Sequence, residues 1–117
     1  MKAVFLDFAT MGNGALDQSP LYDVLPGLEL FATSRPAEIP ARVADAEFVL
    51  ANKSRLDAES LGDAGSVRYI GLAATGTDNV DLEYARARSI AVTNIRGYCT
   101  GSVVEHVFAL LLMLARS

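Results

Sequence analysis

Short apolar runs alternate with longer, more polar stretches along this chain of 117 residues. The runs are rich in Val, Ile, Leu and Phe, which predicts buried strands. They cover residues 2–8, 28–33, 46–52, 67–73 and 90–95, and the second alternates apolar with polar positions as an edge strand does. Strands that alternate with helices are typical of βα units. The pattern therefore predicts an α/β fold built on a parallel sheet.

Four stretches carry helical patterns, at residues 36–46, 57–65, 79–89 and 100–117. Pro40 is expected to cap or interrupt the first, because a proline inside a helix removes a hydrogen bond. Asp78 or Asn79 is the expected N-cap of the third, and Thr100 or Ser102 that of the fourth. The fourth stretch is apolar almost all round, so this helix is expected to be buried rather than to lie on the surface.

Composition and charge argue against several classes of function. Ten Lys and Arg against fourteen Asp and Glu give a net charge of -4, and the basic residues are scattered, so a nucleic-acid partner is not expected. Cys99 and His106 are the only residues of their types, which excludes an internal disulfide and a Cys or His metal cluster. The run "VFALLLMLA" is about half of the ~20 residues that a membrane span needs, and the N-terminus resembles a strand more than a signal peptide. We therefore expect a cytoplasmic domain without a membrane partner or a metal.

Three loops with unusual chemistry follow predicted strands, and in an open parallel sheet ligands gather at the carboxyl ends of strands. The loop "FATMGNGALDQSP" is either a phosphate-binding loop or a plain glycine turn. In "NKSR", Lys53 either meets an anionic substrate or is a solvated charge. In "AATGTDNVD", Ala74, Thr75 and Gly76 offer backbone N–H groups near the start of a helix, which suits a carboxylate or phosphate. Asp78 is expected to serve as a cap or turn residue, because its charge would repel such an anion.

The segment "GLAATGTDNVDLEYARARSIAVTNIRGYCTGSVVEHVFALLLMLAR" resembles the D-isomer-specific 2-hydroxyacid dehydrogenases, in the part of the substrate domain that leads into the cofactor domain. The resemblance is close from Arg68 to Arg116, where "GTDNVD", "SIAVTN" and "TGSVVEH" stand in register. The "ANKS" loop and "VTNIRGYCTGSVVEHVFALLL" are most similar to glycerate dehydrogenases, also called hydroxypyruvate reductases. Together with the strand pattern, the resemblance to this family implies a flavodoxin-like, doubly wound sheet of five parallel strands in the order 2-1-3-4-5.

The resemblance also implies roles for single residues. The N–H groups of Ala74, Thr75 and Gly76 would hold the substrate carboxylate, and Lys53 would line the same cleft. Thr75 would also lie against the nicotinamide side of the cofactor, NAD or NADP, which Thr100 would contact unless it serves only as a helix cap. The implied reaction reduces a small 2-oxo acid to a D-2-hydroxy acid, with hydroxypyruvate and D-glycerate as the expected pair. Members of the family are usually homodimers.

The family's catalytic arginine, glutamate and histidine, and its G-x-G-x-x-G fingerprint, belong farther along than this sequence extends. We therefore expect residues 1–99 to form a substrate-binding domain, and residues 100–117 to begin a long helix leading to a cofactor domain that this chain lacks. No catalytic residue is expected here, and the chain should be inactive alone. Glu105 and His106 match a different motif on the last helix and are expected to be structural, and Cys99 is expected to be inert.

Two other functions are compatible with the same fold. A flavodoxin-like electron carrier would bind FMN with the "TMGNG" loop and stack an aromatic residue on the flavin, for which Tyr98 is the candidate. A phospho-receiver signalling domain would need an aspartate at the end of the third strand and a lysine after the fifth. Asn52 and Ile95-Arg96 stand at those places, which disfavours it.

Overall fold

A single parallel sheet forms the centre of the molecule. The computed structural model describes residues 1–12, 14–62 and 64–116. The sheet has the order β2-β1-β3-β4-β5, and all four neighbouring pairs are parallel, which confirms the predicted order. The strands are β1 (Ala3–Phe5), β2 (Leu28–Leu30), β3 (Phe48–Ala51), β4 (Tyr69–Leu72) and β5 (Ala91–Thr93).

Helices connect the strands, and four of the five lie in the four stretches that the sequence pattern predicted, whereas the helix between the first two strands was not predicted. They are α1 (Ser19–Val24), α2 (Ile39–Val43), α3 (Ala58–Leu61), α4 (Leu82–Ala87) and α5 (Thr100–Arg116). A 3-10 turn at Pro36–Glu38 leads directly into α2, where Pro40 lies in the first turn and its missing N–H leaves no helical hydrogen bond unmade.

The start of α4 differs from the prediction. Asp81 is the N-cap, and its Oδ1 accepts from the N–H of Tyr84 at 2.9 Å. Asp78 and Asn79 instead lie inside a turn that is closed by a hydrogen bond from the N–H of Val80 to the carbonyl of Thr77. The sequence offers three polar residues that favour N-cap positions, and the turn uses two of them.

The main core lies on one face of the sheet. Alternate strand residues such as Val4, Val49 and Ile70 point to that face and are fully buried. Ile39 of α2 and Ala85 of α4 cover them. Burying an aliphatic side chain of this kind stabilises the fold by roughly 1.5–3 kcal/mol, so this face supplies most of the hydrophobic stabilisation.

The opposite face of the sheet is covered only in part. Phe5 is buried there beneath Leu21 of α1. Farther along the sheet, Leu50 and Tyr69 are half-buried and Thr93 is exposed. A groove of about 400 Å³ runs over this face.

Helix α5 corrects one expectation. It was predicted to be buried, but none of its residues is; Phe108 is 60% and Leu112 is 64% exposed. Glu105 and His106 are exposed as well. The apolar stretch forms a helix, as predicted, but no described element packs on that helix. Thr100 is the first residue of this helix and Ser102 lies inside it, so neither is its N-cap; the N–H of Val103 donates to the carbonyl of Cys99 at 2.9 Å. Within the described ranges, no helix is long and apolar enough to cross a membrane.

The position of the α4 cap can be tested with two aspartates that stand close together in sequence. Asp81→Ala should lower the free energy of unfolding by about 1 kcal/mol, because it leaves the N–H of Tyr84 without its acceptor. Asp78→Ala is the matched control and should change it by less than about 0.5 kcal/mol. Urea denaturation followed by circular dichroism measures both. A larger loss of stability for Asp78→Ala than for Asp81→Ala would show that Asp81 is not the N-cap.

Candidate functional site

The loops that follow β1 and β3 are joined by one buried carboxylate. Asp7, directly after the first strand, is 3% exposed. Its Oδ1 accepts from the N–H of Asn52 at 2.8 Å. Its Oδ2 accepts from the N–H of Lys53 at 2.7 Å, from the N–H of Ser54 at 2.6 Å and from the Ser54 hydroxyl at 2.8 Å. A buried charge is tolerated only when it is paired or hydrogen-bonded, and these four donors meet that requirement.

The loop after β1 was predicted to be either a phosphate site or a plain turn. The hydroxyl of Thr10 donates to the carbonyl of Asp7 at 2.7 Å and accepts from Nδ2 of Asn52 at 2.9 Å. That hydroxyl is therefore already engaged, and a carboxylate lies beneath it. Both facts disfavour a phosphate and hence FMN at this loop, although Asn13 lies outside the described residues.

The loop after β4 holds free backbone donors. Within the described ranges, no protein acceptor receives the N–H of Ala74, Thr75 or Gly76. The carbonyl of Ala74 accepts from the N–H of Ile95 at 3.0 Å, and the carbonyl of Thr75 accepts from Nδ2 of Asn94 at 2.7 Å. In a trans peptide the C=O and the following N–H point in opposite directions. Anchoring these two carbonyls beside β5 therefore turns the N–H groups of Thr75 and Gly76 away from it.

These donors are accessible. Thr75 and Gly76 are exposed and Ala74 is half-buried. Consecutive free N–H groups in a fixed loop form a concave surface that suits an anion. The helix expected directly behind them begins only at Leu82, after the intervening turn, so the backbone donors rather than a helix terminus make this a candidate anion site.

Asp78 stands beside this loop. It is exposed, and its Oδ1 lies 2.9 Å from the position that a Cβ on Gly76 would occupy. A side chain at position 76 would therefore have to displace that carboxylate. Asp78 was expected to be a cap or turn residue; it lies in the turn closed by Val80 and is not the cap of α4. Its charge opposes an anion at the neighbouring N–H groups.

Hydrogen bonds tie the loop after β3 to the segment that follows the anion loop. Nδ2 of Asn79 donates to the carbonyl of Ser54 at 2.9 Å. The N–H of Leu56 donates to the carbonyl of Asn79, and the N–H of Asp81 donates to the carbonyl of Leu56, both at 2.8 Å. Leu56 and Val80 thereby form a short parallel bridge. The two loops consequently hold a common position at the carboxyl edge of the sheet.

Lys53 lines a cleft of about 690 Å³ between residues 34–40 and 53–60. Its side chain is exposed and makes no ion pair within the described ranges, whereas Nε of Arg55 pairs with Oδ2 of Asp57 at 2.7 Å. The backbone N–H of Lys53 is held by Asp7, so only its ammonium group is available to a ligand. Lys53 lies at the same edge of the sheet as Ala74, Thr75 and Gly76. These three residues do not line the cleft, so Lys53 does not share a cavity with them.

Among the described residues, the acidic side chains that line this cleft are Asp57 and Glu59, and Glu38 adjoins the lining residues Ala37 and Ile39 in sequence. Glu59 makes no ion pair within the described ranges, whereas Glu38 and Asp57 are held by donors. A hydrogen bond from the Arg35 side chain, followed by one from its backbone N–H, lowers the pKa of Glu38 to about 2. The backbone N–H of Ser60, ahead of the Arg55 guanidinium, lowers the pKa of Asp57. Both carboxylates are therefore ionised near neutral pH and paired with donors of their own. Within the described ranges, no three His, Cys, Asp or Glu side chains are grouped so that they could hold a metal ion.

The two threonines predicted to contact a cofactor lie in different elements of the structure. Thr75 belongs to the anion loop, and Thr100 is the exposed first residue of α5. No hydrogen bond among the described residues joins Thr100 to that loop. Asp7 is the residue of this edge that the sequence pattern did not single out. An aspartate directly after the buried run "AVFL" was the available signal, because a charge at that depth requires several donors.

Comparison with known proteins also finds similarity to 2-hydroxyacid dehydrogenases. The family described as "D-isomer specific 2-hydroxyacid dehydrogenase, catalytic domain" matches residues 13–110. Glycerate dehydrogenase of Methylorubrum extorquens is 40% identical over 89 residues, which are 76% of this chain and 28% of that protein. Hydroxypyruvate reductase of Blautia hydrogenotrophica is 34% identical over 114 residues, which are 96% of this chain and 35% of that protein.

A solved structure shows the same architecture. The D-lactate dehydrogenase of Aquifex aeolicus, determined with NAD and lactic acid, superposes with a TM-score of 0.73 at 26% identity. The match covers 97% of this chain and 33% of that one. The chain thus spans about a third of the length of the proteins that it resembles.

The anion loop can be tested through the charge beside it. Two unit charges on the order of 6 Å apart in water repel by about 0.7 kcal/mol, so Asp78→Asn should tighten the binding of glyoxylate by about 3-fold at low salt. The gain should shrink at high salt because of screening. Titration followed by the NMR shifts of the Thr75 and Gly76 amides measures it. Asp23→Asn, an exposed aspartate in α1, is the matched control. Equal effects of the two variants, or amides that do not respond, would contradict an anion site here.

Proposed function

Because this chain belongs to the D-isomer specific 2-hydroxyacid dehydrogenase family, we propose that it is the substrate-binding part of an NAD(P)-dependent oxidoreductase. The enzyme would interconvert small 2-oxo acids and D-2-hydroxy acids. The observation that carries the proposal is the pair of free N–H groups at Thr75 and Gly76, which are turned outward by the bonds to the preceding carbonyls. A carboxylate is the group that all such substrates share, and backbone donors of this kind suit it.

In the proposed binding geometry, two loops contact the substrate. The N–H groups of Thr75 and Gly76 would fix the carboxylate without any loss of side-chain freedom, because the backbone is already held in place. The ammonium group of Lys53, on the neighbouring loop, would add a positive charge that attracts the anion. Orientation of this kind lowers the barrier of a reaction by holding the reacting carbon in place.

Hydroxypyruvate and D-glycerate are the proposed substrate pair. Two relatives at 34–40% identity carry the names glycerate dehydrogenase and hydroxypyruvate reductase, and these names support the choice. In this proposal the carboxylate of the short acid would occupy the anion loop, and its remaining atoms would lie toward Lys53 at the same edge of the sheet.

The proposed cofactor is NAD or NADP, which supplies the hydride when bound. Thr75 fits such a group because it is exposed, and Thr100 is exposed at the start of α5. Both would contact only an edge of the cofactor, since the sequence contains no G-x-G-x-x-G fingerprint. We propose that residues 1–99 form the substrate-binding domain and that residues 100–117 begin the helix leading to a cofactor domain. The catalytic arginine, glutamate and histidine would lie outside this chain.

The proposed compartment is the cytoplasm. With Cys99 as its only cysteine, the chain does not depend on an internal disulfide, which is consistent with a reducing environment.

An activity assay tests the proposed function. The full-length protein that carries this chain should oxidise NADH or NADPH with hydroxypyruvate, and with lower kcat/KM with glyoxylate and pyruvate. The chain of residues 1–117 alone, assayed beside it, should show no turnover, because hydride transfer needs the cofactor and the 2-oxo carbon held together between two domains. Inactivity of the full-length protein with all three acids would overturn the assignment. Turnover by residues 1–117 alone would show that the active site has been misplaced.

We also propose that the full-length protein is a homodimer. The apolar side chains of α5, including Val107, Phe108 and Leu111, are exposed in the single chain, and exposed patches of this kind mark association surfaces. Light scattering of the full-length protein should give twice the mass of one chain. A monomer that persists at high protein concentration would contradict it.

A further inference from the structure

Asp7 occupies a site that is itself built for an anion. Three consecutive N–H groups, those of Asn52, Lys53 and Ser54, and the Ser54 hydroxyl converge on its carboxylate. Successive backbone N–H groups that point to one centre are the usual composition of an anion-binding nest. Here the anion belongs to the protein and comes from the neighbouring strand.

This arrangement determines what the loop after β3 can offer to a substrate. Its backbone donors are consumed, so Lys53 can act only through its ammonium group. The direction in which that side chain leaves the backbone depends on the peptide planes on either side of it. Asp7 holds the N–H groups of Asn52, Lys53 and Ser54, and so fixes those planes.

The same bonds reach the anion loop. The carbonyl of Ser54 accepts from Nδ2 of Asn79, and Leu56 exchanges hydrogen bonds with Asn79 and Asp81. The segment that follows Thr75 and Gly76 is therefore aligned on the segment that Asp7 fixes. The separation between the Lys53 ammonium group and the free N–H groups depends on this chain of contacts.

We propose that Asp7 is a positioning residue for substrate binding, which sets the Lys53 ammonium group and the Thr75–Gly76 donors at the spacing that one 2-oxo acid requires. The inference rests on the proposed function. Asp7 itself is buried beneath the loop and does not contact the substrate.

A double-mutant cycle in the full-length protein separates positioning from mere stability. Asp7→Ala should raise KM for hydroxypyruvate by roughly 10-fold or more with a smaller change in kcat, because Lys53 loses its placement. Lys53→Ala should raise KM as well. The double variant should be no worse than Asp7→Ala alone, because the ammonium group is already misplaced in the single variant.

Chemical rescue tests the role of Asp7 independently of the double-mutant cycle. Formate should enter the nest left by Asp7→Ala and restore kcat/KM, whereas in the unchanged protein formate should only inhibit by competing for the substrate site. Asp17→Ala is the matched control: it removes another aspartate that accepts from a backbone N–H and a serine hydroxyl, both of Ser19, and should keep KM within about 2-fold and show no formate activation. If Asp7→Ala does not fold, the cycle is run with Asp7→Asn, which keeps one acceptor oxygen but presents an amide to the donors.

The outcomes are distinguishable. Effects of Asp7 and Lys53 that simply add, in a protein that is active when unchanged, would make Asp7 a structural residue only and overturn the inference. Failure of formate to activate Asp7→Ala, with the variant folded, would also contradict it. A full-length protein that is inactive before any substitution would overturn the proposed function, and the inference with it.

Discussion

The buried carboxylate of Asp7 is the constraint on which the rest of the site depends. Because β1 and β3 are parallel neighbours in register, with Phe5 beside Leu50, the residue two positions after Phe5 lies next to Asn52. A carboxylate at that depth must be surrounded by donors, and the nearest ones are the N–H groups of the loop after β3. The loop therefore turns the N–H groups of Asn52, Lys53 and Ser54 inward for an electrostatic reason, and the Lys53 side chain is left exposed.

The neighbouring loop shows the opposite arrangement. The carbonyls of Ala74 and Thr75 are taken up by Ile95 and Asn94 beside β5, so the following N–H groups are turned away from the protein. One loop thus has its donors satisfied internally, and the next has them free. This difference, rather than the glycines alone, is why the candidate anion site lies after β4 and not after β1 or β3.

Much of this could be predicted from the sequence, because the information is local. Apolar runs predict the five strands, and the small residues of the segment "AATGTDNVD" indicate a candidate anion loop. What could not be predicted depends on choices among equivalent residues or on distant contacts. Asp78, Asn79 and Asp81 are all good N-caps, and only the turn closed by Val80 decides among them. The exposure of α5 depends on what packs against it, which periodicity does not specify. The Asp7 contacts join residues 45 to 47 positions apart in sequence, so they follow from strand order rather than from any motif.

The central claim is that the backbone of Thr75 and Gly76 holds the substrate carboxylate while Lys53 faces the same molecule. A crystal structure of the full-length protein with bound D-glycerate tests it most directly. We expect the carboxylate oxygens to lie within hydrogen-bonding distance of both N–H groups. The Lys53 ammonium group should contact the same ligand, and Asp7 should still be bound to the loop after β3. A carboxylate held elsewhere, with the N–H groups of Thr75 and Gly76 bonded to water, would contradict the account.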